Sequence, residues 1–175
     1  MKINEYFVFR KDLLDDSKDE NGFISEPQLL SWVTPYMLEA KVIDSEDFNE
    51  AYLNFENIKI NAYQVNESGE RLQLFLVDGK TISEIESEEN LSISEKIKYQ
   101  KEFSKTINFV KQAYKGSVFE QIQDSNGAVK ALINRMTSIE GINDFDVIEI
   151  FLISLTASVS FKGDTPQPRS IHFDN

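Results

Sequence analysis

Cysteine is absent from the chain and histidine occurs once, as His172. The first absence excludes disulfides, zinc–thiolate sites and a cysteine nucleophile. The second removes histidine-cluster metal sites, and the polar surroundings of His172 argue against a serine–histidine triad. Any catalysis is therefore left to carboxylates, lysine, hydroxyls and a hard metal. Basic residues are also scarce: 18 Lys and Arg stand against 30 Asp and Glu, for a formal charge of -12. Such a balance repels phosphate backbones on average and disfavours a large nucleic-acid footprint, although a local basic groove is compatible with it. Glycine (seven) and proline (four) are too few for a linker-like or low-complexity chain. No segment approaches the ~18–20 apolar residues of a membrane span, so no membrane partner is expected. The opening MKINEYFVFRKDLLDD turns charged within ten residues, unlike a secretory signal, and the expected location is the cytoplasm.

What is present is enough for a core. A chain of 175 residues fits one domain and can bury roughly 70% of its unfolded surface. Ser25-Glu26-Pro27-Gln28 reads as a helix start, with a serine cap, an early proline and a glutamine three residues on. Leu29, Leu30, Trp32, Val33, Tyr36, Met37 and Ala40 follow at helical spacing, which predicts a helix over 26–41 bent at Pro35, with Trp32, Tyr36 and Met37 in the core. Residues 51–65 and 71–78 alternate with period two around NESGE, a hairpin signature. RLQLFLVD is apolar on both faces, which predicts a central strand covered on each side. After the acidic connector SEIESEEN (83–90), a long helix is expected from 92 to 114 with its stop at Gly116, then a helix over 125–138 and a buried strand over 145–157. Residues 2–16 stay unassigned. The tail FKGDTPQPRSIHFDN reads as a linker or the start of a following region, so the expected organisation is one α/β domain over 1–162 within a longer protein.

This order, with ISEPQLLSWVTPYMLEAKVID, IKINAYQVNESGERLQLFLVD, EKIKYQKEFSKTINFVKQAY, AVKALINRM and VIEIFLISLTASVS, resembles the N-terminal domain of the bacterial abortive-infection phage-resistance family across about 25–162. The resemblance implies a fold class: α/β, with a mixed central sheet containing a β-hairpin, flanked by helices and restriction-endonuclease-like. It also implies an Asp-Gly-Tyr on the first hairpin strand and an acid at the end of the second. Here Asn61-Ala62-Tyr63 stands at the first position and Asp78 at the second. An asparagine amide can coordinate a metal but brings no charge.

An endonuclease-type site needs an acid on one strand and acid-x-lysine on its neighbour, holding Mg or Mn so that the scissile phosphate is polarised and water is activated. Asp78 and Lys80 are the candidate catalytic pair, and Asp78, Asn61 and Glu56 the candidate metal ligands. If the turn centres on Ser68, Asp78 faces Ile58 and Lys80 faces Glu56, which leaves Asn61 and Glu56 as rivals for the first acid. The bland alternative is that Asp78-Gly79 is an ordinary turn pair and Lys80 is solvated. Glu26 is either a further metal oxygen or an acid favoured at a helix start. The lysines of the long helix (Lys96, Lys98, Lys101, Lys105, Lys111, Lys115) either face DNA or form a solvated face diluted by Glu95 and Glu102.

Two functions from different classes remain. One is a degraded nuclease-like scaffold serving as an interaction module, with another domain of the full-length protein, a protein partner or, against the net charge, nucleic acid. The other is a Mg- or Mn-dependent nuclease acting on DNA or RNA. A third, mimicry of DNA, has only the acidic charge in its favour.

Overall fold

The computed structural model describes residues 24–78, 96–118, 127–138 and 144–154, with short pieces at 8, 11–13, 15–16 and 122. Helix α1 (Glu26–Glu39) begins as the sequence predicts: the Ser25 hydroxyl accepts from the Gln28 N–H, and the Gln28 side chain accepts from the Ser25 N–H. This reciprocal cap satisfies two donors that a helix start leaves open. The helix runs through Pro35 to Glu39, and Lys41, just past its cap, takes a left-handed φ of +57°. Lys41 N–H then bonds the Leu38 carbonyl and Val42 N–H the Met37 carbonyl, a closure more often built on glycine.

Four strands follow in one sheet of order β1-β2-β3-β4: β1 (Asn49–Phe55), β2 (Ile58–Val65), β3 (Arg71–Val77) and β4 (Val147–Ile153). The first three are antiparallel and β4 runs parallel to β3, so the sheet is mixed. Between β3 and β4 the chain supplies α2 (Lys96–Tyr114) and α3 (Gly127–Met136). Gly116, at φ +70°, closes α2: its N–H bonds the Ala113 carbonyl, and Ser117 N–H bonds that of Gln112. The expected stop is therefore a left-handed glycine cap.

The architecture is the expected mixed α/β sheet flanked by helices, with one correction inside it. Residues 51–65, expected as a single strand, form β1 and β2 with the two-residue turn Glu56-Asn57 between them. The turn carries none of the usual glycine signal; Glu56 itself adopts φ +44°. The pairing of β2 with β3 is also one residue away from the expected register, running from Ala62↔Phe75 to Val65↔Leu72. The loop between them, Asn66–Glu70, turns on Gly69 at φ +81°, not on Ser68.

Helices cover both faces of the sheet. On one, α2 and α3 contribute Phe109, Val110, Leu132 and Ile133 to a core with Ile58, Ile60, Leu72 and Leu74. On the other, Leu29 and Leu30 of α1 pack with Ala62, Phe75, Val77 and Ile153. β3 is buried along Leu72–Val77, as its two-sided apolar sequence predicts. The aromatic stripe of α1 is core only in part: Trp32 and Met37 pack at its margin, but Tyr36 is 49% exposed and lies against the Trp32 ring. Lys80, the connector 83–90, residues 92–95, the strand end 155–157 and the tail from 163 lie outside the described residues.

Candidate functional site

The polar site lies on the α1 face of β2, next to a slip in strand alternation. Ile58 and Ile60 of β2 pack against α2 and α3, and so does Tyr63, three residues later, while Ala62 faces the α1 side. Strict period two would not allow Ile60 and Tyr63 the same face. The irregularity coincides with a bulge: between the pairs Glu50↔Ala62 and Leu53↔Ile60, β1 has two residues where β2 has only Asn61. Lys59 and Asn61, two residues apart, fall opposite Ile58 and Ile60 by ordinary alternation, and both reach the N-terminal turn of α1.

There they meet Glu26. Lys59 Nζ donates to Glu26 Oε1 at 2.6 Å and to the Val77 carbonyl at 2.7 Å. Asn61 Nδ2 donates to Glu26 Oε2 at 2.6 Å, while Asn61 Oδ1 accepts from the Val77 N–H at 2.8 Å. Lys59 is 6% exposed and Asn61 7%, so this polar group is almost dry. It fills a gap in the sheet. The β2–β3 pairing stops at Ala62↔Phe75, whereas β3 continues beside β4 to Val77↔Ile153. The Val77 N–H and carbonyl, left without a backbone partner on β2, are satisfied by two β2 side chains; a buried backbone group without a partner costs about 1–3 kcal/mol. From the opposite layer, the Thr106 hydroxyl of α2 donates to the Lys59 carbonyl at 2.8 Å, which pins the strand that carries the lysine.

Asp78 lies at the end of β3, half-buried. Its N–H bonds the Ile153 carbonyl, and its Oδ2 accepts from the Ser154 hydroxyl at 3.3 Å. Val77 and Ile153, the residues that precede Asp78 and Ser154, belong to the α1-side core. The structure thus brings Asn61 to Glu26 and joins Asp78 to Ser154 at the end of β4. Glu56 occupies the exposed β1–β2 turn. Lys80 lies outside the described residues. Among the described residues no group of three or more Asp, Glu or His side chains converges as a metal site.

The residue that sequence reasoning passed over is Lys59. A signal was available: it sits between two isoleucines in the apolar strand IKINAYQV, where a charge survives burial only with a partner.

The α/β order, the mixed sheet and the polar group under α1 can be set beside known families. The model of the family described as abortive infection phage resistance protein, N-terminal domain, matches residues 29–172. The chain belongs to this family. The match covers Lys59, Asn61 and Asp78 and begins three residues after Glu26, so the partner of the two β2 side chains stands just ahead of the matched span of this abortive-infection domain. Comparisons with curated proteins and with solved structures find no match.

Proposed function

We propose that this abortive-infection domain keeps a restriction-endonuclease-like scaffold but works in the cytoplasm as an interaction module of a phage-defence protein, not as a nuclease. One observation carries the reading: both oxygens of Glu26 are engaged by this domain's own side chains, Lys59 and Asn61. A carboxylate held in this way contributes packing and alignment, and its charge is already balanced. Asn61, at the position where the family resemblance implies an acid, is used at both ends of its amide to join α1 to β3. The chemistry left at the site is that of a structural clasp.

The formal charge of -12 favours a protein surface or another domain over nucleic acid as the partner. The test is cleavage of single- and double-stranded DNA and RNA with Mg or Mn, comparing wild type with Asp78→Ala. Neither protein should cut. Metal-dependent cleavage by wild type that Asp78→Ala abolishes would overturn the proposal in favour of the nuclease.

A further inference from the structure

We infer that the Lys59 ammonium takes the place of the divalent cation that a restriction-endonuclease-like scaffold would hold, so that this domain carries its own tethered cation and excludes the metal. The inference deepens the interaction-module reading and rests on the same side chains.

The environment of Lys59 Nζ is that of a hard cation. Its partners are a carboxylate oxygen, Glu26 Oε1 at 2.6 Å, and a backbone carbonyl oxygen, that of Val77 at 2.7 Å. Carboxylate and carbonyl oxygens are the donors that Mg and Ca select, and Mg is commonly held by only one or two carboxylates with water completing the shell. A divalent ion in this space would need those same two oxygens.

Three features keep the metal out. The ammonium is nearly buried, with 7% of its side chain exposed, and its carbonyl is tied to Thr106 on the other layer. A divalent ion at Glu26 would therefore face an adjacent positive charge with little water to screen it. Asn61 presents the wrong end of its amide: Nδ2, a donor, faces Glu26, and Oδ1 is spent on the Val77 N–H. Both partners fix that orientation, since a carboxylate accepts and an N–H donates. Asp78, the remaining acid of the expected site, accepts from Ser154 at the end of β4. The residues present therefore do not fit a resident divalent metal, and the feature that takes up the two candidate oxygens is the lysine at 59.

Replacing the lysine should reopen the site. The experiment titrates Mn²⁺ and follows the free ion by electron paramagnetic resonance, with melting temperature measured in Mn²⁺ and in EDTA. The proteins compared are wild type, Glu26→Gln, Lys59→Met and the double variant. Wild type and Glu26→Gln should bind Mn²⁺ identically, through the diffuse acidic surface alone, and the wild-type melting temperature should be the same in Mn²⁺ and EDTA. Lys59→Met should gain one bound Mn²⁺ per chain and a melting temperature raised by the ion, and both gains should vanish in the double variant.

A wild-type Mn²⁺ site that Glu26→Gln removes overturns the inference, and so does a folded Lys59→Met that gains no site. If Lys59→Met fails to fold, the comparison of wild type with Glu26→Gln still decides. Metal bound by a wild type that cuts nothing would sink the inference and leave the interaction module standing. Asp78-dependent cleavage sinks the interaction module whatever Glu26 binds.

Discussion

Removing one member of the Glu26–Lys59 pair should cost more than removing both, relative to the sum of the single changes. Glu26→Gln leaves a charged Lys59 at 6% exposure without its counter-ion, held by the Val77 carbonyl. The glutamine can offer its oxygen to Lys59 or to Asn61 but not to both, and its amide NH₂ then confronts a donor. Breaking a buried pair from one side costs about 3–5 kcal/mol. Because the Glu26 side chain is 18% exposed, the lower end, roughly 3 kcal/mol, is expected for this variant. Lys59→Met strips the Val77 carbonyl of its donor as well as the carboxylate of its counter-ion, so roughly 4 kcal/mol is expected. In the double variant neither charge is stranded, and what remains is lost hydrogen bonding at Val77 and Asn61, roughly 2 kcal/mol. The coupling is then on the order of 5 kcal/mol, well above what a solvent-exposed pair gives. Urea denaturation at neutral pH, with the slope unchanged among the four proteins, measures each step. Additive losses, or a Glu26→Gln loss below about 1 kcal/mol, would refute the reasoning, because the pair would then behave as a solvated surface pair.

Two further perturbations test other parts of the structure. Glu56 holds φ +44° in the β1–β2 turn, a region that disfavours side chains, so Glu56→Gly should raise stability by about 0.5–1 kcal/mol in the same urea assay; a loss would mean that the Glu56 side chain contributes a needed contact. Burial pushes the Tyr63 phenol above its usual 10.0, with Arg135 pulling it partly back. As pH rises past 10.0 the unfolded phenol ionises first, so its contribution is complete below that value and is lost towards the raised folded one. Tyr63→Phe should flatten this part of the alkaline decline in stability and delete a phenol that ionises above pH 10.0 in an ultraviolet titration; an unchanged slope would count against burial of the hydroxyl.

Much of the fold was legible because its signals are local. The Ser25–Gln28 cap, the glycine stop at Gly116 and the two-sided apolar run of β3 each declare themselves within a few residues. The division of 51–65 did not, because its turn uses Glu56-Asn57 and the flanking residues keep strand character throughout. Placing all of 51–65 on one strand hid β1, and with it the bulge opposite Asn61. Tyr36 was misjudged for a related reason: helical spacing identifies a stripe, but the width of sheet beneath it decides which members are covered.

The candidate site divides along the same line. From the sequence alone came the α/β class, the family resemblance, the asparagine where an acid is implied and the poverty of basic residues, all of which depend on residue identity and near-neighbour pattern. The tertiary structure alone decided that Glu26, some thirty residues away in sequence, meets both Lys59 and Asn61, and that Asp78 is joined to Ser154. Each of these outcomes depends on where α1 docks and on how the strands pair. Because successive strand residues point to opposite faces, a slip of one residue reassigns which side chains meet. The lysine in the apolar run IKINAYQV meets there the carboxylate that its burial requires.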